Sequence, residues 1–252
     1  MDIIIIEQSE HNYSAYVPDL PGCVTTGKTY EGVKKNGRMQ PNYKPRVKIC
    51  CISNLYEAQV AIQYGASALG LVSAMPSGPG IIAEDLIAHI AAKIPPGVSS
   101  FLLTSKQDTA SIIEQQRRCR VNTIQICDRL EMGSYDDLRE AMPGIALVQV
   151  IHVMGEESIA EAGAVAPHVN ALLLDSGNQL LAVKELGGTG RIHNWEISRA
   201  IRERVDVPIF LAGGLNAENV VDVCSGVRTD GRLDEGKLIK FFAAIENASP
   251  GR

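Results

Sequence analysis

The 252-residue chain has no run of basic residues, no paired cysteine spacing and no long apolar stretch. Lys and Arg number 24 against 29 Asp and Glu, a formal net charge of −5. Without a Lys/Arg cluster the chain lacks the broad electrostatic footprint of a nucleic-acid binder, so nucleic acid is not expected as a partner. The six cysteines (23, 50, 51, 119, 127 and 224) share no repeated spacing, and no Cys/His pattern of a zinc site accompanies them. In a chain of this length they read as reduced thiols of a cytoplasmic protein. None of the five histidines has a partner at metal-ligand or triad spacing, so no metal is expected, and His193 reads as a helix-start residue. No apolar stretch approaches the roughly 18 residues that span a bilayer. The opening MDIIIIEQSE has four isoleucines before a charge and no basic n-region, so neither a membrane span nor a signal peptide is expected.

What is present is an alternation. Residues 1–33 form one texture and residues 34–46, KKNGRMQPNYKPR, read as a polar linker with two prolines. From Val47 to the end at residue 252, short apolar runs alternate with helical patterns. The runs are VKICCI (47–52), ALGLVS (68–73), VSSFLLT (98–104), NTIQICD (122–128), ALVQVIHV (146–153), ALLLDS (171–176), PIFLAGG (208–214) and VDVCSGV (221–227). Several are nearly continuous in apolar residues, as parallel strands covered by helices should be. Eight such strands predict a (β/α)8 TIM barrel, with a doubly wound open sheet as the runner-up.

Polar and glycine residues gather just after the strands, the end at which either architecture builds its sites. Cys50, at the end of the first run, and Asp175, at the end of the sixth, can face each other across a barrel mouth. A thiol and a carboxylate so placed suit proton removal from a carbon and proton delivery to a nearby oxygen. Strand alternation puts Lys48 on the same face as Cys50, where its charge would favour the thiolate, and turns Cys51 to the opposite face as packing. Cys127 and Cys224 also read as packing. Gly213 and Gly214 after the seventh run, and Ser225 and Gly226 after the eighth, sit where barrels grip a phosphate through backbone N–H groups.

Taken in order, KIC (48–50), LLLDS (172–176) with GGTG (187–190) and Trp195, LAGGLNAENV (211–220) and VDVCSGV (221–227) resemble the phosphoribosylanthranilate isomerase family of tryptophan biosynthesis. The resemblance covers residues 47–248, roughly four-fifths of the chain. It implies an Amadori rearrangement of N-(5'-phosphoribosyl)anthranilate, an aldose–ketose isomerisation of a phosphorylated small molecule that needs no metal or organic cofactor. Asp175 would be the general acid that opens the furanose ring, and Cys50 the general base that takes the proton from C2'. Gly188, Gly190, Gly213, Gly214, Ser225 and Gly226 would bind substrate and phosphate. Gln125 fits the family pattern. Asp222 either orients the substrate amine or pairs with Lys48.

The chain departs from the family in four places. Cys51 stands where a glycine is usual. The loop SAMPSGPGII (73–82) has Pro79 at the position of the arginine that meets the anthranilate carboxylate, and Cys127-Asp128 replaces a His-Gly pair. Between Gly214 and Val221 there are only seven steps, about 23–25 Å of extended chain, against the dozen or more residues of a parallel crossover. The helix between strands seven and eight is therefore expected to be missing. These departures leave a weakened isomerase, or a repurposed barrel that binds a phosphorylated sugar without turnover, as the alternative. Residues 1–33 read as a short β-hairpin, and YSAYVPDLPGCVTTG (13–27) resembles the opening of a HicB-type antitoxin. Such a fragment must pack on the barrel, pair with another copy in a homo-oligomer, or stay mobile.

Overall fold

The computed structural model describes residues 46–187, 191, 193–213 and 231–245 in full, and the backbone of 5–8, 13–16, 24–27, 228–229 and 246–248. The chain divides into two units, one of residues 1–45 with 245–252 and one of residues 46–244.

In the first unit, β1 (Ile5–Gln8), β2 (Tyr13–Tyr16) and β3 (Val24–Gly27) form an antiparallel sheet in the order β1-β2-β3. The expected hairpin is thus exceeded by one strand. Val24, Thr25 and Thr26 are β-branched and follow a Pro-Gly pair, and β3 pairs with β2 from Tyr13↔Gly27 to Tyr16↔Val24.

The second unit is a seven-stranded parallel sheet. Its strands are β4 (Lys48–Ile49), β5 (Ala68–Val72), β6 (Ser99–Thr104), β7 (Thr123–Ile126), β8 (Ala146–His152), β9 (Ala171–Asp175) and β10 (Ile209–Leu211). Each strand pairs with its neighbour in sequence, from β4 at one edge to β10 at the other. A doubly wound sheet reverses its strand order at a switch point. No reversal occurs here, so the runner-up is excluded and the strands form the arc of a barrel. The eighth run (221–227) and the shortened connection before it lie outside the described residues.

Helices α1 (Leu55–Gln63), α2 (Glu84–Ala91), α3 (Thr109–Cys119), α4 (Tyr135–Ala141), α5 (Glu157–Val165) and α6 (Trp195–Arg204) lie between these strands. Four start on side-chain caps: Asn54, Asp108, Ser134 and Asn194 accept from backbone N–H groups of the first turn. A short antiparallel pair, β11 (Arg228–Thr229) and β12 (Arg232–Leu233), precedes α7 (Glu235–Ala248). Glu57 of α1 is buried and ties these parts together, accepting from Ser53 N at 3.0 Å and Leu233 N at 2.9 Å.

The strands separate two apolar layers. Leu172 and Leu174 of β9 join the outer cluster under the helices, with Ile124, Ile126, Leu147 and Ile151. Ala171 and Leu173 join the inner cluster with Phe101, Leu103, Val148 and Val150. Every residue of β5 and β9 is buried, which is why their sequences read as unbroken apolar runs rather than alternating ones. Parity then sets direction: Asp175 and His152 point inward with the odd residues of β9 and the even residues of β8.

Candidate active site

Cys50 lies one residue beyond β4, half-buried against the inner cluster. Its sulfur rests over Gly70 of β5, where an added Cβ would lie 2.9 Å from Cys50 Sγ and 3.1 Å from Cys50 Cα. Gly70 does not have a positive φ, so glycine is needed there for space alone. Sequence reasoning passed over it; the available signal was a glycine inside a continuous apolar strand, which marks close approach. Two residues back on the same face, Lys48 Nζ donates to Gln125 Oε1 at 2.5 Å and lies 4.9 Å from the centroid of the Phe101 ring. Gln125 Nε2 in turn lies 3.5 Å from Cys127 Sγ. Burial pushes the Cys127 thiol up to about 12, so it stays protonated and takes no nucleophilic part.

Cys51 does not turn to the opposite face. β4 ends at Ile49, and Cys51 adopts a left-handed φ of 62°, which breaks the alternation that the expectation relied on. Both cysteines pack against the inner cluster, and Cys51 Sγ donates to the Pro79 carbonyl at 3.6 Å. The left-handed backbone is the physical reason a glycine suits this position better than cysteine.

Asp175 ends β9 with 9% of its surface exposed. Its Oδ1 accepts from Ser176 N at 2.7 Å. The carboxylate occupies a slot between two glycines with positive φ. An added Cβ would lie 2.9 Å from Oδ2 at Gly187 (φ 133°) and 3.1 Å from Oδ1 at Gly213 (φ 88°). Gly213 therefore borders the carboxylate, and Gly187, the first glycine of GGTG, does the same. Beside Asp175, and paired with it in register, His152 is 3% exposed. Its Nε2 is 2.9 Å from the Cys127 carbonyl, which can only accept, so Nε2 carries the proton. Its Nδ1 has no hydrogen-bond partner among the described residues and faces Gly177. His193 stands just before the α6 cap, with Nε2 2.7 Å from Ser198 Oγ. Burial holds its imidazole below the ordinary histidine value, with the charge of Asp175 opposing in part. A cavity of about 270 Å³ opens beside these groups, lined by Met154, Ser176, Asn178, Arg191 and His193 among others.

The connection after Asp175 folds over this end of the sheet. Asn178 and Glu185 exchange backbone hydrogen bonds at 2.8 and 3.0 Å, and Leu186 is buried in the inner cluster. Lys184 Nζ reaches Asp128 Oδ2 at 2.6 Å, and its carbonyl accepts from Ser77 Oγ at 2.7 Å. Of the residues expected to form the site, Cys50, Gln125, Asp175 and Gly213 are described and lie on the inner face or at the C-terminal strand ends. Gly188, Gly190, Gly214, Asp222, Ser225 and Gly226 lie outside the described residues. Among the described residues, no group of three His, Cys, Asp or Glu side chains can hold a metal ion, and no helix is long and apolar enough to cross a membrane.

An arc of parallel strands with a half-buried thiol at the end of the first and an inward carboxylate at the end of the sixth defines a barrel-type protein equipped for proton transfer. Comparison with known proteins narrows this. Residues 47–244 match the family described as N-(5'-phosphoribosyl)anthranilate (PRA) isomerase, and the chain belongs to that family. An N-(5'-phosphoribosyl)anthranilate isomerase of Methanosarcina acetivorans is 29% identical over 233 residues, which cover 82% of this chain and 96% of that one. A second, from Methanosarcina mazei, is 32% identical over 215 residues, covering 80% of this chain and 94% of that one. The crystal structure of phosphoribosyl anthranilate isomerase from Thermotoga maritima matches with a TM-score of 0.65 at 25% identity, covering 80% of this chain and 98% of that one. A further isomerase structure, in complex with reduced 1-(o-carboxyphenylamino)-1-deoxyribulose 5-phosphate, has a TM-score of 0.62 at 23% identity, covering 80% of this chain and 98% of that one.

Proposed function

We propose that the chain converts N-(5'-phosphoribosyl)anthranilate to 1-(o-carboxyphenylamino)-1-deoxyribulose 5-phosphate. Asp175 delivers a proton to the furanose ring oxygen, the C1'–O bond breaks, and the nitrogen lone pair forms the Schiff base. Cys50, as thiolate, removes the proton from C2' to give the enolamine, which tautomerises to the ketone. The observation that carries this reading is the seating of both groups: each lies at a C-terminal strand end, directed inward, against a glycine that leaves it room. A positioned acid or base of this kind contributes about 100- to 10,000-fold to rate. Loss of the substrate's fluorescence measures turnover. Cys50→Ala and Asp175→Asn should each lower kcat by at least about 100-fold while the thermal midpoint stays near that of the parent. A Cys50→Ala protein with full activity would remove the thiol from the mechanism.

Binding of substrate and phosphate falls to Gly188, Gly190, Gly213, Gly214, Ser225 and Gly226 together with Gln125, and Asp222 either orients the substrate amine or pairs with Lys48. Residues 47–252 act as the isomerase domain, 34–46 as a linker, and 1–33 as a HicB-type fragment, on the strength of its sequence motif. A dimeric isomerase of the family is known from Thermotoga maritima, and self-association of this chain is the matching proposal. Deleting residues 1–45 should leave kcat/KM unchanged, and sedimentation of both forms tests whether that segment joins the copies.

A further inference from the structure

The substrate assigned above is anionic at both ends, with a phosphate on C5' and a carboxylate on the aromatic ring. Resting on that assignment, we propose that Lys184 receives the aromatic carboxylate. In the proposed pose the phosphate lies on the Gly213 side, next to β10, and the reacting carbons lie between Cys50 and Asp175, so that the ring projects away from β10 toward the strand ends that Lys184 reaches. The connection after β5 on that side, residues 73–83, contains no Lys or Arg. The cation comes instead from across the mouth.

Lys184 is fastened to that side at two points. Its carbonyl accepts from Ser77 Oγ at 2.7 Å, in the connection after β5, and its Nζ donates to Asp128 Oδ2 at 2.6 Å, just beyond β7. The Asp128 side chain is 4% exposed and that of Lys184 32%, so the carboxylate is sealed behind an ammonium that keeps an open side. An ammonium has three donors. One is spent on Asp128, and the others meet no partner among the described residues. The Asp128 carboxylate is held in place by a second bond, from Arg129 N to Oδ1 at 2.9 Å, and a buried ion pair adds little net stability because desolvation offsets the attraction. Its evident effect is to aim Lys184.

The other described cations at this end are placed differently. Arg129 makes two bonds to Glu161 at 3.0 Å, and Lys106, two residues beyond β6, has no ion pair among the described residues to aim it. Lys48 sits a layer below Cys50 on Gln125, and Arg191 pairs with Glu185 while its backbone borders Gly213, on the phosphate side.

The test is a cycle between protein and ligand. Calorimetry compares reduced 1-(o-carboxyphenylamino)-1-deoxyribulose 5-phosphate with its phenylamino counterpart, which lacks the carboxylate. A charge-assisted hydrogen bond corresponds to about 10- to 100-fold in affinity, and the parent protein should prefer the carboxylated probe by that factor. Lys184→Met should reduce the preference to within about twofold of unity on loss of that bond, and Lys184→Arg should retain most of it. Because Lys184→Met strands a buried carboxylate, the double variant Lys184→Met/Asp128→Asn, which removes both charges, supplies the same readout in a fold with no unpaired ion. A double variant that discriminates as well as the parent overturns the proposal, as does a parent that discriminates not at all or binds neither probe. Turnover measured on the same preparation separates the two ideas: a parent that binds and discriminates without turning over refutes the isomerase assignment and leaves Lys184 as the carboxylate's partner.

Discussion

Gly70→Ala is the most direct way to ask whether the placement of the Cys50 sulfur governs the reaction. The new methyl carbon would lie 2.9 Å from Sγ, 3.1 Å from the Cys50 Cα and 3.3 Å from Leu103 Cδ1. Non-bonded heavy atoms settle at about 3.5–4.0 Å, so from 2.9 Å the thiol must retreat by roughly 0.6–1.1 Å. A misplacement of about 1 Å can cost on the order of 100-fold in rate, and kcat should fall about 10- to 100-fold. KM should hardly move, since neither charged end of the substrate is touched. Overpacking of this kind also costs about 1–3 kcal/mol. For a domain of roughly 200 residues each kcal/mol lowers the midpoint by about 2–4 °C. The assay is fluorescence-monitored turnover beside thermal denaturation. Ala171→Val, at the far end of β9 and also in the inner cluster, is the control: it should lose comparable stability with kcat unchanged. Gly70→Ala retaining kcat within twofold, or Ala171→Val losing as much rate, would refute the claim that Gly70 acts through the sulfur.

Two further outcomes follow from the same geometry. Cys51→Gly should be more stable to urea than Cys51→Ala by about 1 kcal/mol, because a left-handed backbone strains any residue with a Cβ; an alanine variant of equal stability would show that the φ of 62° carries no cost. Burial lowers the His193 imidazole from its ordinary value near 6.5, so the folded chain binds this proton less readily than the unfolded chain. The stability tied to a neutral His193 is therefore complete above about pH 6.5 and is lost as the pH falls from there toward the folded-state value. His193→Asn should flatten the decline in urea midpoint between pH 7.5 and 5.5, and an unchanged slope would assign that decline to other groups.

The sheet was legible because parallel strands buried on both faces must be apolar throughout, and seven of the eight apolar runs contain the seven parallel strands of the sheet. The strand order excluded the doubly wound alternative, which periodicity could not do. Cys50 and Asp175 stood out because a thiol and a carboxylate at the ends of such runs are conspicuous. Cys51 was misplaced because alternation holds only while the backbone stays extended, and nothing in KICCIS announces where that ends. His152 escaped attention because it lies 23 residues before Asp175 in sequence and beside it only through strand register.

The amino-acid sequence by itself determined the element order, the parallel topology and the strand ends at which chemistry can be built, since these depend on local periodicity and on runs of apolar residues. Tertiary structure alone decided which small residues make room for which functional atoms: Gly70 beneath Cys50, and Gly187 and Gly213 around Asp175. It also decided that Lys184 meets Asp128 across the mouth, 56 residues apart. Contacts of that kind depend on where separate strands and loops come to rest against one another, and local sequence pattern carries no record of it.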